Sequence, residues 1–430
     1  MYLGYALTTF VIAMLPVCFA RPWIGVLMWC WLGYMTPHRL TWGPTHNMPF
    51  AMMVAIATLL GLVFTGDRRP VPRTEETYLL LALWTVFTLS TMLALYQDFA
   101  WDQWVKVSKI LLFTFIPLLL FQDKKRFRYL LLVVALSLGF YGFKGGIWTL
   151  ARGGSGRVQM PDDSMFGDTN GAGLAFVTVL PMLLYLGREE QNIWLRRLLR
   201  VTFVLTIPAT LFTYSRGAVV GLAAIVLALA GKANRFLSAA VGLTALYIFV
   251  INFAPPEWFE RMQTVREYER DGSAMSRLDA WYIAWRFALD RPFLGGGFWS
   301  VGQPEIVERY MPGRGFQVSS HSIFFSVLGE HGFIGLALFL GLLGSCIWTL
   351  RRLRHQNVPP PPSWVRSYSH MLEVSIVGFV VTGAFLNAAY IDLLYHLVAF
   401  VILLKVLAER EASEQLAQAA PPTTVTADAS

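Results

Sequence analysis

Charge is scarce in this chain. Of 430 residues only 14% are Asp, Glu, Lys or Arg, while 55% are hydrophobic and mean hydropathy is +0.51. A soluble protein of this length cannot hide that much apolar surface in one core. Cysteine is scarce too. Cys18, Cys30 and Cys346 all lie in apolar runs, so neither a disulfide framework nor a zinc site is readable, and they read as small buried hydrophobes. The first apolar run lacks a basic start and a small-residue cleavage site, so no cleavable signal peptide is read. Gly295-Gly296-Gly297 has no Gly-Lys-Ser after it and is no nucleotide loop. Asp162-Asp163 has no matching His or Glu nearby and reads as solvated loop, so no metal is expected. The net charge of +8 need not mean nucleic acid, because a membrane protein carries a basic bias on its inner loops.

Long apolar runs are present instead. A spanning helix needs about 20 mostly apolar residues. Candidate spans cover roughly 22–36, 48–66, 78–96, 105–121, 129–150, 169–187, 198–214, 216–231, 236–253, 322–349, 371–388 and 391–407. Residues 3–20 either add a span or form one broken unit with 22–36, interrupted at Arg21-Pro22, and the broken unit is favoured. The loops at 66–77, 122–128, 187–200, 231–235 and 350–372 hold 17 Lys and Arg, and the alternate short loops hold 4. The first set is therefore cytoplasmic and residues 254–320 lie outside. The expected fold is an all-α integral membrane protein of about twelve transmembrane helices with one large outer loop. Its parts are N-terminal helices over 1–253, the loop 254–320, C-terminal helices over 321–408 and a disordered cytoplasmic tail over 409–430.

The outer loop holds 8 Lys and Arg against 9 Asp and Glu, so it has no broad steering field. Ser276-x-x-Asp279 reads as a capping box that starts a helix. Leu278, Trp281, Tyr282, Trp285 and Leu289 then share one face, as in an amphipathic helix on a membrane surface or over a bundle. Pro292 and the glycine run stop it.

A few ionisable residues stand at outer membrane depth. Arg277 would be the first residue of the capped helix, beside free N–H groups, which suits a phosphate or pyrophosphate; the plainer reading is an arginine paired with Asp279 or Glu269. Arg216, in Tyr214-Ser215-Arg216-Gly217, sits at a tight outer hairpin, either as a functional cation or as a snorkelling anchor. His321, in Ser319-Ser320-His321-Ser322, is a general base near neutral pH or a helix-start histidine. Lys144, Arg157 and Asp168 are further candidates for substrate binding, although Asp168-Thr169-Asn170-Gly171 equally caps a helix. Asp392 and His396, one turn apart, are ligands, a proton pair or a structural hydrogen-bonded pair. Taken alone, these residues imply an outer-face cavity with arginines and a histidine, suited to an anionic lipid-linked substrate.

In layout and motifs the chain resembles the O-antigen ligase and O-antigen polymerase superfamily. The matching residues are Tyr214-Ser215-Arg216-Gly217 opening a helix, Ser276-Arg277-Leu278 with Trp281, and Ser319-Ser320-His321-Ser322 followed by Glu330 and Gly332, within about 165–407. Arg21-Pro22-Trp23-Ile24-Gly25 and Pro37-His38-Arg39-Leu40 look like the branch of putative O-glycosylation ligases. The resemblance implies an architecture similar to membrane glycosyltransferases of the C type, in a bacterial inner membrane with the active site facing the periplasm. It implies transfer of a glycan from undecaprenyl pyrophosphate to lipid A–core oligosaccharide, with no metal, cofactor or nucleotide sugar. It gives Arg216 and Arg277 the pyrophosphate and His321 the proton. An O-antigen polymerase and a protein O-glycosylation ligase fit the same motifs. A lipid-linked sugar flippase is the alternative of another class, and the few ionisable residues in the inner halves of the spans count against it.

Overall fold

A computed structural model describes residues 2–230, 235–263, 272–313, 319–356 and 360–419. Among these residues the chain is all helical, apart from turns and loops. Five helices are each long and apolar enough to cross a membrane: α1 (Tyr2–Ala20), α5 (Gln97–Leu120), α6 (Lys124–Ala151), α7 (Thr169–Glu189) and α14 (Ile323–His355). Around them stand α2 (Pro22–Met35), α3 (Phe50–Phe64), α4 (Glu75–Met92), α8 (Ile193–Leu211), α9 (Arg216–Leu229), α10 (Arg235–Phe253), α15 (Ser363–Gly383) and α16 (Asp392–Ala419). The helices α11 (Pro256–Gln263), α12 (Gly272–Asp290) and α13 (Pro304–Tyr310) lie between α10 and α14.

The loops sort to two ends. At one end Arg126 pairs with Asp67 at 2.9 Å, Arg69 and Arg410 both donate to the Gln122 carbonyl, Arg128 pairs with Glu190, and Arg354 pairs with Glu373. These are Lys/Arg-rich loops. At the other end Arg39 pairs with Asp163 at 3.1 Å, the Val158 N–H donates to the Phe212 carbonyl, and the Leu95 N–H donates to the Gly296 carbonyl. The bundle thus has a basic end and an end that carries the large loop, as a multi-pass membrane protein requires.

Three details differ from the expectations drawn from sequence. The first concerns residues 3–36, which form two antiparallel helices, not one interrupted unit. Phe10 meets Trp31 edge-on at 6.0 Å, and Val11, Cys18, Met28 and Leu32 share one buried cluster with α3. Arg21 is extended and Pro22 occupies the first turn of α2, where its missing N–H costs nothing, so the chain reverses there. Second, α12 begins at Gly272, so Ser276 is inside the helix and is not its cap. Arg277 accordingly stands in the second turn, away from the first free N–H groups. Third, α16 continues to Ala419, where a disordered tail was expected from 409, and Glu411 accepts the Trp364 indole N–H at 2.9 Å. The remainder of the expected tail, 420–430, lies outside the described residues.

Two glycine sets position the loop-bearing end. Gly142, Gly145 and Gly146 let α6 lie directly on α8: a Cβ at Gly146 would stand 2.1 Å from the Leu205 carbonyl oxygen. The run Gly295-Gly296-Gly297 lies against the backbone of α14, with Gly296 N–H donating to the Gly329 carbonyl and Gly297 N–H to that of Glu330. Gly332, at φ 67° and ψ −169°, breaks α14 at that point, and Phe333 N–H turns to the Pro292 carbonyl. The segment 323–331 is thereby set off from the rest of α14 and belongs to the loop assembly. Gly146→Ala should overpack the α6–α8 contact and lower stability by about 1–3 kcal/mol. A reduced thermal midpoint in detergent, with Gly33→Ala unchanged as the control in open space, checks it.

Candidate functional site

Two helix starts and three arginines meet at the loop-bearing end. Asp168 is the N-cap of α7, its carboxylate accepting the N–H groups of Asn170 (2.7 Å) and Gly171 (3.0 Å). Ser215 is the N-cap of α9 and accepts the Ala218 N–H at 3.3 Å, so Arg216 is the first helical residue. Between α8 and α9 the chain turns through Tyr214 at φ 58°, a left-handed conformation that a tyrosine rarely adopts. The buried Tyr214 hydroxyl donates to the Gly154 carbonyl at 3.2 Å, which helps hold the turn. The turn points Arg216 into a narrow cleft.

That cleft is lined by Asn170, Tyr214 to Gly217, Arg261, Arg277, Phe385 and Leu386. Arg216 and Arg277, far apart in sequence, line the same space. Arg261 joins them from α11, and no sequence motif announced it. Arg216 and Arg277 are half-buried, Arg261 is exposed, and each has partners within the protein. The free volume is only about 10 Å³, so the cleft admits a larger group only as the long arginine side chains swing aside.

His321 stands just before α14, at φ 40°. Burial and the positive charge of Arg277 hold its imidazole below the usual histidine value, with Asp168 opposing. It is therefore neutral at pH 7, with a lone pair open to a proton. The segment before it is tied down. The Trp281 indole N–H donates to the Ser320 carbonyl at 2.7 Å, its ring stacks on Phe325 at 5.1 Å, and Ser320 and Ser326 hydroxyls share Asn387. Trp281 thus serves the site, whereas Leu278, Tyr282, Trp285 and Leu289 on α12 remain exposed.

The remaining candidates lie elsewhere. Lys144 and Arg157 line a second cavity of about 390 Å³ with Arg39, Tyr141 and Trp148. Arg157 lies over the Tyr214 ring at 5.7 Å, so this cavity abuts the arginine cleft across one aromatic ring. Asp392 is buried at the start of α16, where its neighbours include Tyr34 and Cys30, and it lines neither cavity. His396, one turn on, is also buried and meets the Tyr34 hydroxyl at 2.5 Å, a structural pairing. A cavity of about 670 Å³ between α2, α6 and α8 has no charged side chain among the described residues of its lining.

Residues 201–340 match the family model described as O-Antigen ligase. Over this stretch the chain is similar to the O-antigen ligase family. The stretch contains Arg216, Arg261, Arg277 and His321 and excludes Lys144, Arg157, Asp168 and Asp392. Residues 3–191 match a second model, described as a Family of unknown function (DUF5935). No curated protein matches the chain. The matched stretch 201–340 supplies both arginines of the cleft that the sequence singled out, and the matched N-terminal stretch supplies Asn170 beside them.

Arg277→Gln should raise the His321 pKa, because it removes one of the two influences that lower it. Titration of the histidine-labelled protein by NMR should show the His321 midpoint moving to higher pH. A midpoint that stays in place would mean the two side chains do not sense each other.

Proposed function

We propose that the protein is an O-antigen ligase. It transfers a glycan from undecaprenyl pyrophosphate to a hydroxyl of lipid A–core oligosaccharide, at the periplasmic face of a bacterial inner membrane. The supporting observation is that Arg216, Arg261 and Arg277 line one cleft while His321 lies within electrostatic reach of Arg277.

The chemistry follows from charge. The bond from the anomeric carbon to the pyrophosphate oxygen breaks, and its electron pair leaves on the pyrophosphate. Guanidinium groups aimed at that oxygen stabilise the growing charge more in the transition state than in the ground state. The role given to divalent metal in many sugar transfers falls here to three arginines. The acceptor oxygen attacks the opposite face of the anomeric carbon, so the configuration inverts, and His321 takes the hydroxyl proton. The N-termini of α7 and α9, on the donor side, add positive dipole ends.

In this reading the Lys/Arg-rich end is cytoplasmic and the loop assembly is periplasmic. The twelve spans read from the sequence gain α1 as a further crossing, since α1 and α2 form a hairpin. Lys144 and Arg157 serve acidic groups of the glycan in the cavity next to the cleft. Asp168 acts by holding the α7 start in place.

Transfer in vitro tests this. Purified protein is mixed with undecaprenyl-pyrophosphate-linked glycan and lipid A–core, with chelator present. A glycan-bearing lipid A product is expected, and His321→Ala should reduce it by roughly 10²–10⁴-fold. Longer lipid-linked chains with no lipid A product would mean a polymerase. Full activity in the histidine variant would remove the base assignment.

A further inference from the structure

A third cavity adjoins the arginine cleft along one loop. Its volume is about 230 Å³, and its lining includes Gln103, Trp299, Ser319, Glu330, Asn387 and Tyr390. The loop after α15 passes between the two spaces: Phe385 and Leu386 face the cleft, and Asn387, Ala389, Tyr390 and Ile391 face the cavity. The segment before α14 borders the cavity alone. Ser319 and Ser320 line the cavity, and the next residue is His321, within electrostatic reach of Arg277 of the cleft. His321 thus directly follows two residues of the cavity wall and senses an arginine of the cleft.

Their chemistry is opposite. Three arginines line the cleft, whereas Glu330 is the single charged side chain among the described residues lining the cavity. The cavity does not suit phosphate. It offers amide groups on Gln103 and Asn387, hydroxyls on three serines and Tyr390, a carboxylate and an indole. Planar polar groups beside one aromatic ring match a neutral polyol ring, whose hydroxyls need partners and whose C–H face packs on an aromatic surface. Glu330 organises this set. One of its oxygens accepts the Tyr390 hydroxyl at 2.6 Å, and the other accepts the Trp299 backbone N–H at 3.0 Å. Trp299 is held at φ 63°, left-handed backbone that a tryptophan rarely adopts, and the residue is 48% exposed. A strained residue fixed by a carboxylate, with little packing around its ring, is better explained by a ligand contact than by core stability.

We propose that this cavity is the subsite for the neutral terminal sugar of the acceptor, with Trp299 as the platform and Glu330 as a positioning residue. The proposal rests on the transferase reading. It puts the acceptor hydroxyl beside His321 and across the anomeric carbon from the pyrophosphate, as inversion requires.

The test uses full-length protein in nanodiscs and two readouts. The first is saturation-transfer NMR with core oligosaccharide freed of its lipid. Wild type should give saturation transfer to the sugar protons. Trp299→Ala and Asn387→Ala should abolish that signal, Trp299→Phe should keep part of it, and all should bind undecaprenyl pyrophosphate as wild type does. The second readout is steady-state transfer. Trp299→Ala should raise the acceptor KM about three- to tenfold with donor KM unchanged, the size expected for one aromatic contact. No sugar signal in wild type, or an undiminished signal in both alanine variants, overturns the subsite. A sugar signal seen in wild type and absent from the variants, in a protein that transfers nothing, would keep the subsite and sink the transferase reading.

Discussion

Like charges gathered in a mostly apolar bundle are the constraint on which the site depends. Arg216, Arg261 and Arg277 come from three separate helices and line one small space. Holding cations together is unfavourable, and more so as water is excluded. A polyanion between them reverses the sign of that energy. On the proposed function, the cleft exchanges part of the arginines' partners within the protein for a pyrophosphate, above all a leaving pyrophosphate whose charge is still growing. With little free volume in the cleft, binding and side-chain movement are coupled.

The rest of the loop-bearing end keeps that cleft beside a histidine. Gly332 breaks α14, and the glycine run 295–297 packs its backbone into the break, so 323–331 can face the loop assembly. Trp281 clamps the Ser320 carbonyl, and Asn387 gathers the serines on either side of His321. His321 is thus positioned by neighbours on α12, α14 and the loop after α15, elements with no common local sequence. Partial burial and Arg277 favour its neutral form near neutrality, as the proposed base requires.

Much of this was legible in the sequence, for physical reasons. Apolar runs and the Lys/Arg bias fixed the helical class and the two ends, because bilayer thickness and membrane asymmetry act on composition directly. Arg216, Arg277 and His321 stood out because charge in apolar surroundings is rare. Arg261 did not: it lies in an ordinary eight-residue helix, and only tertiary folding brings it to the cleft. Its one available signal was its place in the loop that already held Arg277. The Ser276 capping box misled because a local hydrogen-bonding pattern was outweighed by a helix that continues upstream. The hairpin at Arg21-Pro22 was ambiguous because proline both interrupts one helix and begins another. Glu330 was visible as part of a motif, but its partners Tyr390 and Trp299 are 60 and 31 residues away.

The central claim is that the arginine cleft recognises pyrophosphate. Equilibrium binding of undecaprenyl pyrophosphate to the protein in nanodiscs, with undecaprenol for comparison, tests it most directly. The account predicts tight binding of the pyrophosphate over the alcohol, abolished when Arg216 and Arg277 are both replaced by Gln in a protein that keeps its thermal midpoint. Equal affinity for the two lipids, or unchanged pyrophosphate binding in the double variant, would contradict it.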